Sequence, residues 1–179
     1  MRALNIKYEG NCETYQILGG EAISIDLKSG DSVEVVDVEG DQQCSLLAFN
    51  SKNSSSLTEL AWNTKPKSII NEVTPGDCSD MLKKILEHNQ INSKKLDSAE
   101  LFSASNPANS RQSFETKSDT LCMFDAKGGH MSVDMQNTPT EILINVSRLN
   151  PSNPSERLPE PLAKITREIR VKDSSAIAY

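Results

Sequence analysis

Two histidines and four cysteines are the residues through which this chain could bind a metal ion. Cys78 and His88 are ten positions apart, and Cys122 and His130 lie on the two arms of a predicted hairpin, where they could approach each other. A zinc site needs four protein ligands, or three and a water molecule, and the paired-cysteine spacing typical of such sites is missing. We therefore expect no bound metal, with these four residues as the fallback set.

Cys44 is the candidate nucleophile of the sequence. A reactive thiol needs a base or a positive charge beside it, and no histidine is near Cys44 in the sequence. We therefore expect a buried, structural thiol. Asp37, Glu39 and Asp41 could supply a general acid and a general base, although carboxylates around a turn are more often simply solvated. The residue types thus leave the catalytic side chains unknown.

The segment 33–50 is the element that must position such residues, and Gly40 divides it into two β-rich runs. Valines dominate the first run and the second run is apolar, a composition that favours strands over a helix. Polar residues occupy the junction, where a binding site can be held between two rigid strands. We select Asp37, Gln42 and Ser45 as candidate ligand-binding residues.

The same segment carries a family resemblance. Its residues Val36-Asp37-Val38-Glu39, Gly40-x-Gln42 and Leu46-Leu47-Ala48-Phe49-Asn50 resemble the signature of the urea-carboxylase-associated family, whose members are largely uncharacterised, mostly β domains. The segment is also similar to the amino-terminal extension of some proteins that resemble the glycine-cleavage T-protein, an aminomethyltransferase. The family usually has Asp three residues after the glutamine. This chain has Ser45 there, which implies that the carboxylate has been lost.

The resemblance implies two functions from different classes. In the first, the chain is the non-catalytic amino-terminal module of a T-protein-like, tetrahydrofolate-dependent aminomethyl- or methyltransferase, with a structural, interface or substrate-gating role. The chain itself would then hold no cofactor, and tetrahydrofolate would bind to the longer parent protein. In the alternative, it is a free-standing small metal-dependent enzyme or ligand-binding protein of the urea-carboxylase-associated type, acting in amide or amine metabolism. Ser45 in place of Asp favours the first.

Hydrophobic periodicity predicts a mostly β, α+β domain: a twisted antiparallel sheet or barrel-like sandwich with one covering helix. Gly19-Gly20 predicts a hairpin of strands 13–18 and 21–27, and Gly128-Gly129 predicts a second hairpin of strands 119–126 and 130–136. Residues 140–149 predict a further strand. The predicted core consists of Val35, Leu47, Phe49, Leu82, Ile85, Ile142, Ile144 and Val146.

The covering helix is predicted between Asp77, as its cap, and Asn89, where it stops. Its apolar residues recur at helical spacing. A second short helical piece is predicted within residues 94–102.

Three segments make up the predicted domain organisation. Residues 1–149 form the β-rich domain, and residues 150–165, with four prolines, form a linker. Residues 170–179 echo residues 16–25, each with a short strand and a small-residue turn. We therefore expect residues 166–179 to begin a second, truncated repeat.

The composition excludes several classes of partner. The net charge of −6 and the pI near 5.0 argue against a nucleic-acid or anionic-membrane surface. No apolar run has the length of a membrane span, and no signal peptide begins the sequence. We expect a cytoplasmic protein with free thiols. Its partner would be the remainder of a parent polypeptide or a second copy in a homo-oligomer.

Overall fold

The computed structural model of this chain describes residues 6–91, 96–127 and 140–150. Within them lie eleven strands, one α-helix, and two 3-10 turns at Leu57–Glu59 and Pro75–Asp77. The first six strands are β1 (Ile6–Glu9), β2 (Cys12–Leu18), β3 (Ala22–Leu27), β4 (Ser32–Asp37), β5 (Cys44–Phe49) and β6 (Leu60–Trp62). The others are β7 (Ser68–Val73), β8 (Leu96–Phe102), β9 (Ser110–Thr116), β10 (Thr120–Asp125) and β11 (Glu141–Ser147). The helix is α1 (Asp80–His88).

The strands form two antiparallel sheets that pack face to face. The six-stranded sheet has the order β1-β2-β11-β4-β9-β6, and the five-stranded sheet has the order β3-β10-β5-β8-β7. Inward-facing side chains of both sheets make the main core. The described strands do not close into a barrel. The predicted β-rich sandwich with one helix is thereby confirmed.

Helix α1 covers the outer face of the five-stranded sheet, and a second apolar cluster lies between them. We call it the helix-covered cluster. Strand β5 is therefore buried on both sides: Leu46 and Ala48 face the main core, and Leu47 and Phe49 face the helix. All eight residues of the predicted core are buried.

The predicted hairpin around Gly19-Gly20 is wrong, although both of its strands exist. Strand β2 pairs with β1 and β11 in one sheet, whereas β3 pairs with β10 in the other. The two-glycine link therefore carries the chain from one sheet to the other. The amide of Gly20 donates to the carbonyl of Ala126 at 2.6 Å, and the amide of Gly19 donates to that of Thr140 at 3.1 Å.

The central segment also spans both sheets, since β4 belongs to the six-stranded sheet and β5 to the five-stranded sheet. The connections 19–21, 38–43 and 103–109 all change sheet. The last two contact each other through the amide of Asp41, which donates to the carbonyl of Asn106 at 3.0 Å. We call this end of the sandwich the crossover end.

The two helical predictions have different outcomes. Asn89 ends α1 as predicted, but Ser79, not Asp77, is its cap, and its hydroxyl accepts from the amide of Leu82. Asp77 instead ends the preceding 3-10 turn, and its carboxylate accepts hydrogen bonds from Thr74, the cap of that turn. The second helical prediction, within 94–102, is wrong for residues 96–102, which form β8.

Three sequence predictions concern residues that the structure does not describe: the second arm of the 128–129 hairpin, all but the first residue of the proline-rich linker, and the second repeat. Among the described residues, no helix has the length and apolar character needed to cross a membrane.

Candidate functional site

Asp125 is a fully buried carboxyl group at the end of β10, at the crossover end. It lies opposite Ser45 of β5 on one side and opposite Ala22 of β3 on the other. It follows Met123 by two positions and so shares its face, toward the helix-covered cluster. Strand pairing thus places one carboxyl group inside an apolar layer.

The two oxygens of Asp125 differ in their partners. Oδ2 accepts a hydrogen bond from the backbone amide of Ser79, at the start of α1, at 3.2 Å. Oδ1 is buried and has no hydrogen-bond partner among the described residues. A buried polar atom without a partner is uncommon in native proteins, and it marks Asp125 as a candidate functional residue of the described chain.

Burial raises the pKa of Asp125 above its ordinary value, because an isolated charge is poorly solvated there. The hydrogen bonds from Ser79 and the charges of Lys127 and Lys83 partly oppose this rise. Asp125 is therefore a carboxyl group whose protonation responds to what is placed beside Oδ1.

Asp37 and Gln42 build the crossover beside Asp125. The carboxylate of Asp37 accepts from the amides of Gly40 at 3.0 Å and Gln42 at 3.3 Å, and burial raises its pKa. The side-chain amide of Gln42 donates to the carbonyls of Gln43 at 2.9 Å and Lys127 at 2.8 Å. Gln42 therefore ties the β4–β5 crossover to the chain leaving β10, two residues after Asp125.

The three candidate ligand-binding residues thus have different positions. Ser45, partly buried, faces Asp125 across the strand pair. Gln42 is beside the site, but its amide nitrogen is engaged with backbone. Both carboxylate oxygens of Asp37 accept hydrogen bonds from backbone amides of the turn. Ser45 is therefore the one candidate of the three that lies opposite the unpartnered carboxyl group.

The thiols near the site are held in their neutral form. Burial raises the pKa of Cys44, and the carboxylates of Asp125 and Asp37 add to the rise. Burial also raises the pKa of Cys78, with a further contribution from Asp125. A nucleophilic thiol requires the opposite shift. These environments agree with the expectation of a structural role for Cys44.

The fallback metal set is not assembled within the described residues. Cys122 faces the main core and Cys78 faces the helix-covered cluster, on the opposite side of the five-stranded sheet. His88 is exposed at the last residue of α1, and His130 lies outside the described residues. No group of three or more His, Cys, Asp or Glu in the described part of the chain has an arrangement that could hold a metal ion.

Sequence reasoning missed Asp125, although the sequence holds a signal for it. Leu121, Met123 and Asp125 alternate along one strand, so the carboxyl group continues a face that is otherwise apolar. Its burial depends on β3, β5 and α1, which are distant in sequence.

A second buried charged cluster lies at the opposite end of the sandwich. Arg148 donates to Glu13 at 2.7 Å and to Asp31 at 2.7 Å, and Tyr15 donates to Glu13 at 2.7 Å. Burial alone lowers the pKa of Arg148, but its hydrogen bonds to Glu13 and Asp31 outweigh this and raise it. Both carboxylates are satisfied, so this cluster is a structural tie between the two ends of the described chain.

An open groove of about 680 Å³ lies near the edge strands β6 and β7, with Trp62 and Ile69 among its lining residues. Its polar groups are already engaged: the carboxylate of Asp97 accepts from Ser55 at 3.2 Å, and Lys117 donates to a backbone carbonyl. The groove therefore offers less chemistry than the buried carboxyl group of Asp125.

Comparison with known proteins gives three findings. The chain is 28% identical over 171 residues to a trimethylamine-oxide aldolase of Ruegeria pomeroyi. This match covers 93% of the chain but only 22% of that relative, so the chain spans about a fifth of the curated protein it matches. No protein-family model matches the chain.

Among solved structures, a DUF1989 family protein of Silicibacter pomeroyi DSS-3 is similar, with a TM-score of 0.51 and 11% identity. The likeness covers 80% of this chain and 78% of that one. At this identity it shows a shared fold. The family resemblance read from the sequence is thus supported only as a likeness to proteins of the DUF1989 type.

These findings correct the first functional hypothesis, the non-catalytic module of a T-protein-like aminomethyltransferase. The curated relative is an aldolase acting on trimethylamine oxide, and the structural neighbour is a DUF1989 family protein. Neither name is that of an aminomethyltransferase. They agree better with the alternative, an enzyme or ligand-binding protein of amide or amine metabolism. The expected tetrahydrofolate rested on the hypothesis that is now set aside.

Proposed function

We propose that this chain is a DUF1989-type domain that binds a small methylated amine or amine oxide and, within its complete protein, takes part in its conversion. The observation that carries the proposal is the unpartnered Oδ1 of Asp125, buried at the crossover end. The similarity to a trimethylamine-oxide aldolase supplies the substrate class.

The surroundings of Asp125 suit such a ligand. Ala22, opposite it, and Met123, two positions before it, are both buried and belong to the helix-covered apolar cluster. The transfer of methyl groups from water to such an apolar surface is favourable in free energy. Small-molecule sites are commonly lined by apolar side chains, with a few polar groups that fix the orientation of the ligand, and the carboxyl group of Asp125 would be such a group.

A carboxyl group with a raised pKa also suits the chemistry of an amine oxide. Cleavage into a secondary amine and an aldehyde breaks one C–H bond, one C–N bond and the N–O bond, and forms a C=O bond and an N–H bond. The atoms balance, so no external oxidant or reductant is required. Protonated Asp125 can donate to the N-oxide oxygen, and its ionised form can stabilise positive charge on the nitrogen.

Isothermal titration calorimetry with trimethylamine N-oxide and dimethylamine tests the proposal. Thermal shift is unsuitable, because trimethylamine N-oxide is an osmolyte that stabilises folded proteins without binding them. We expect saturable binding of at least one compound, and its loss in Asp125→Asn. Asp26→Asn is the matched control: it is a half-buried carboxyl in the same sheet whose pKa is also raised by burial. Absence of binding to the wild type, or equal binding to Asp125→Asn, would overturn the proposal.

The same proposal places the protein in a reducing compartment, the cytoplasm. All four cysteines are free thiols, and three of them are buried. Such thiols persist where disulfide formation is disfavoured.

A further inference from the structure

We propose that the open groove between β6 and β7 binds a small zwitterion, with a methylated ammonium group at one end and a carboxylate at the other. The groove lies away from the crossover end, because Ser55 in its lining pairs with Phe49, at the end of β5 that is remote from Ser45. The inference therefore concerns a second site, and it does not rest on the function proposed for Asp125.

The groove exists because the sandwich is open between two of its edge strands. Strand β6 ends the six-stranded sheet and β7 ends the five-stranded sheet, and no described strand pairs with the outer edge of either. Trp62 of β6 and Ile69 of β7 both line the space between them, which has a volume of about 680 Å³. Ile69 is 52% exposed, so the groove is open to solvent and has room for a small molecule.

The apolar wall of the groove suits a methylated cation. Leu57 and Leu60 are buried in this wall, and Trp62 is half-buried. The Trp62 ring lies 5.2 Å from the ring of the fully buried Phe114, at an angle of 59°, and this aromatic pair holds the indole in place. Indole attracts cations more strongly than the other aromatic side chains do, and methyl groups on the ammonium add apolar contact with the wall.

Asp97 provides a negative charge in the same groove. The hydroxyl of Ser55 donates to Oδ2 of Asp97 at 3.2 Å and accepts from the amide of Asp97 at 3.3 Å. These two contacts hold the carboxylate in position, but they occupy only one of its oxygens. The other oxygen has no hydrogen-bond donor among the described residues. Asp97 therefore keeps the capacity to pair with the cationic end of a ligand.

Lys117 provides a positive charge beside it. Its Nζ donates to the carbonyl of Thr58 at 3.0 Å, and an ammonium group carries further N–H donors. None of the described carboxylates forms an ion pair with Lys117. Ser55 and Thr58, which contact the two charged side chains, belong to one short segment of the groove lining. A ligand with a cation alone would leave Lys117 unpaired, and a zwitterion pairs with both charges.

Fluorescence titration of the whole chain tests the inference, because Trp62 is the only tryptophan of the sequence and reports directly on the groove. The probes are γ-butyrobetaine, γ-aminobutyrate, tetramethylammonium chloride and sodium butyrate, at one ionic strength and pH 7. We expect a saturable change in emission with γ-butyrobetaine. Each of the other probes lacks the methyl groups or one of the charges, and it should bind about fivefold or more weakly.

Two variants test the charged side chains. Asp97→Asn keeps the shape and an acceptor for Ser55, and Lys117→Met keeps the length of the side chain. Each should weaken the binding of γ-butyrobetaine about fivefold. Glu34→Gln and Arg111→Met are the matched controls, since they remove the same two charges from an exposed pair outside the groove. Both controls should bind γ-butyrobetaine as the wild type does.

The wild-type series can overturn the proposal without any variant. It is wrong if γ-butyrobetaine gives no saturable change, or if tetramethylammonium or butyrate binds equally well. Equal binding of γ-aminobutyrate would exclude the methylated cation. Wild-type affinity in either Asp97→Asn or Lys117→Met would show that the two charges do not hold the ligand. None of these results depends on the proposed function.

Discussion

Ser45 and Asp125 lie directly opposite each other on antiparallel strands, a serine on β5 facing a carboxyl group on β10. Opposite residues on one face have Cβ atoms about 4.5–5.5 Å apart. The family resemblance led us to expect that Ser45 leaves this position without a carboxylate. The neighbouring strand supplies one, so the loss at Ser45 does not remove acidic chemistry from the crossover end.

Asp125→Asn is expected to raise the free energy of unfolding at pH 7 by about 1 kcal/mol, because it replaces a buried carboxylate, whose charge is poorly solvated, by a neutral group of the same shape. Burial raises the pKa of Asp125 above 3.8, so the folded state holds its proton to a higher pH than the unfolded state. The contribution of Asp125 to stability is present below 3.8 and is lost as pH rises through the raised value. Urea unfolding from pH 7 to pH 4 should show the advantage of the variant shrinking toward acid. A variant less stable than wild type at pH 7 would contradict this.

Ser45→Asp is expected to lower the free energy of unfolding at pH 7 by about 1 kcal/mol, because it places like charges opposite each other in the sheet. The same substitution in an Asp125→Asn background should cost much less. Ser45→Ala, which adds no charge, is the control and should remain within about 0.5 kcal/mol of wild type. Urea unfolding of the four-protein cycle measures the coupling. Equal costs in both backgrounds would show that the two side chains do not interact.

Gln42→Ala is expected to destabilise the chain by about 1 kcal/mol, because it leaves two partly buried carbonyl groups, those of Gln43 and Lys127, without their donor. Gln43→Ala is the matched control, since its side chain makes no hydrogen bond to the described residues, and it should have little effect. Chemical denaturation gives both values. Equal losses would mean that the bond from Gln42 to the carbonyl of Lys127 contributes nothing.

Arg148→Met is expected to lower the free energy of unfolding by about 3–5 kcal/mol, because it leaves Glu13 and Asp31 buried without their partner cation. Arg111→Met removes an exposed pair with Glu34 and should cost at most about 1 kcal/mol. Thermal melting compares the two. If the two variants have the same melting temperature, the buried cluster of Arg148, Glu13 and Asp31 does not stabilise the fold in the way that its geometry indicates.

Gly40→Ala should lower the stability of the fold more than Gly20→Ala does, although both glycines have φ near +90°. At Gly20 an added Cβ meets nothing within 4 Å, so only the backbone conformation is penalised, by about 1–2 kcal/mol. At Gly40 the Cβ would lie 2.7 Å from the carbonyl oxygen of Asn106, which must move. Denaturation midpoints measure the difference. Equal midpoints would show that the backbone of the 103–109 connection moves away from the added Cβ without a loss of stability.

Periodicity predicted most of the described strands, but it did not predict which sheet each strand joins. Alternation at 13–18 and 21–27 fixes the inward faces of β2 and β3. A short glycine link fits either a hairpin or a sandwich corner. Pairing with β11 and β10, more than ninety residues away, decides between them. Similarly, Leu, Ala and Glu in residues 96–102 suit a helix, and β5 and β7 on either side make the segment a strand.

The binding region at the junction of the segment 33–50 stays a prediction, and the structure adds Asp125 to it as a candidate residue. Its location at the junction of the segment 33–50 follows from polar residues between two strands. Asp125 comes from a strand about eighty residues further along the chain, where it continues the alternation of Leu121 and Met123, but this local pattern does not show which elements bury it. Only the completed sheet shows that its carboxyl group is buried and that one oxygen has no partner among the described residues.

The place of β11 has a consequence for synthesis on the ribosome. It lies between β2 and β4, so two strands made early share a partner that is made more than one hundred residues later. Until that partner emerges, the backbone edges of β2 and β4 remain unpaired, and such edges invite association with other chains. Cellular folding of this sandwich should therefore be limited by the arrival of β11, and chains that stall before it should be the ones bound by chaperones.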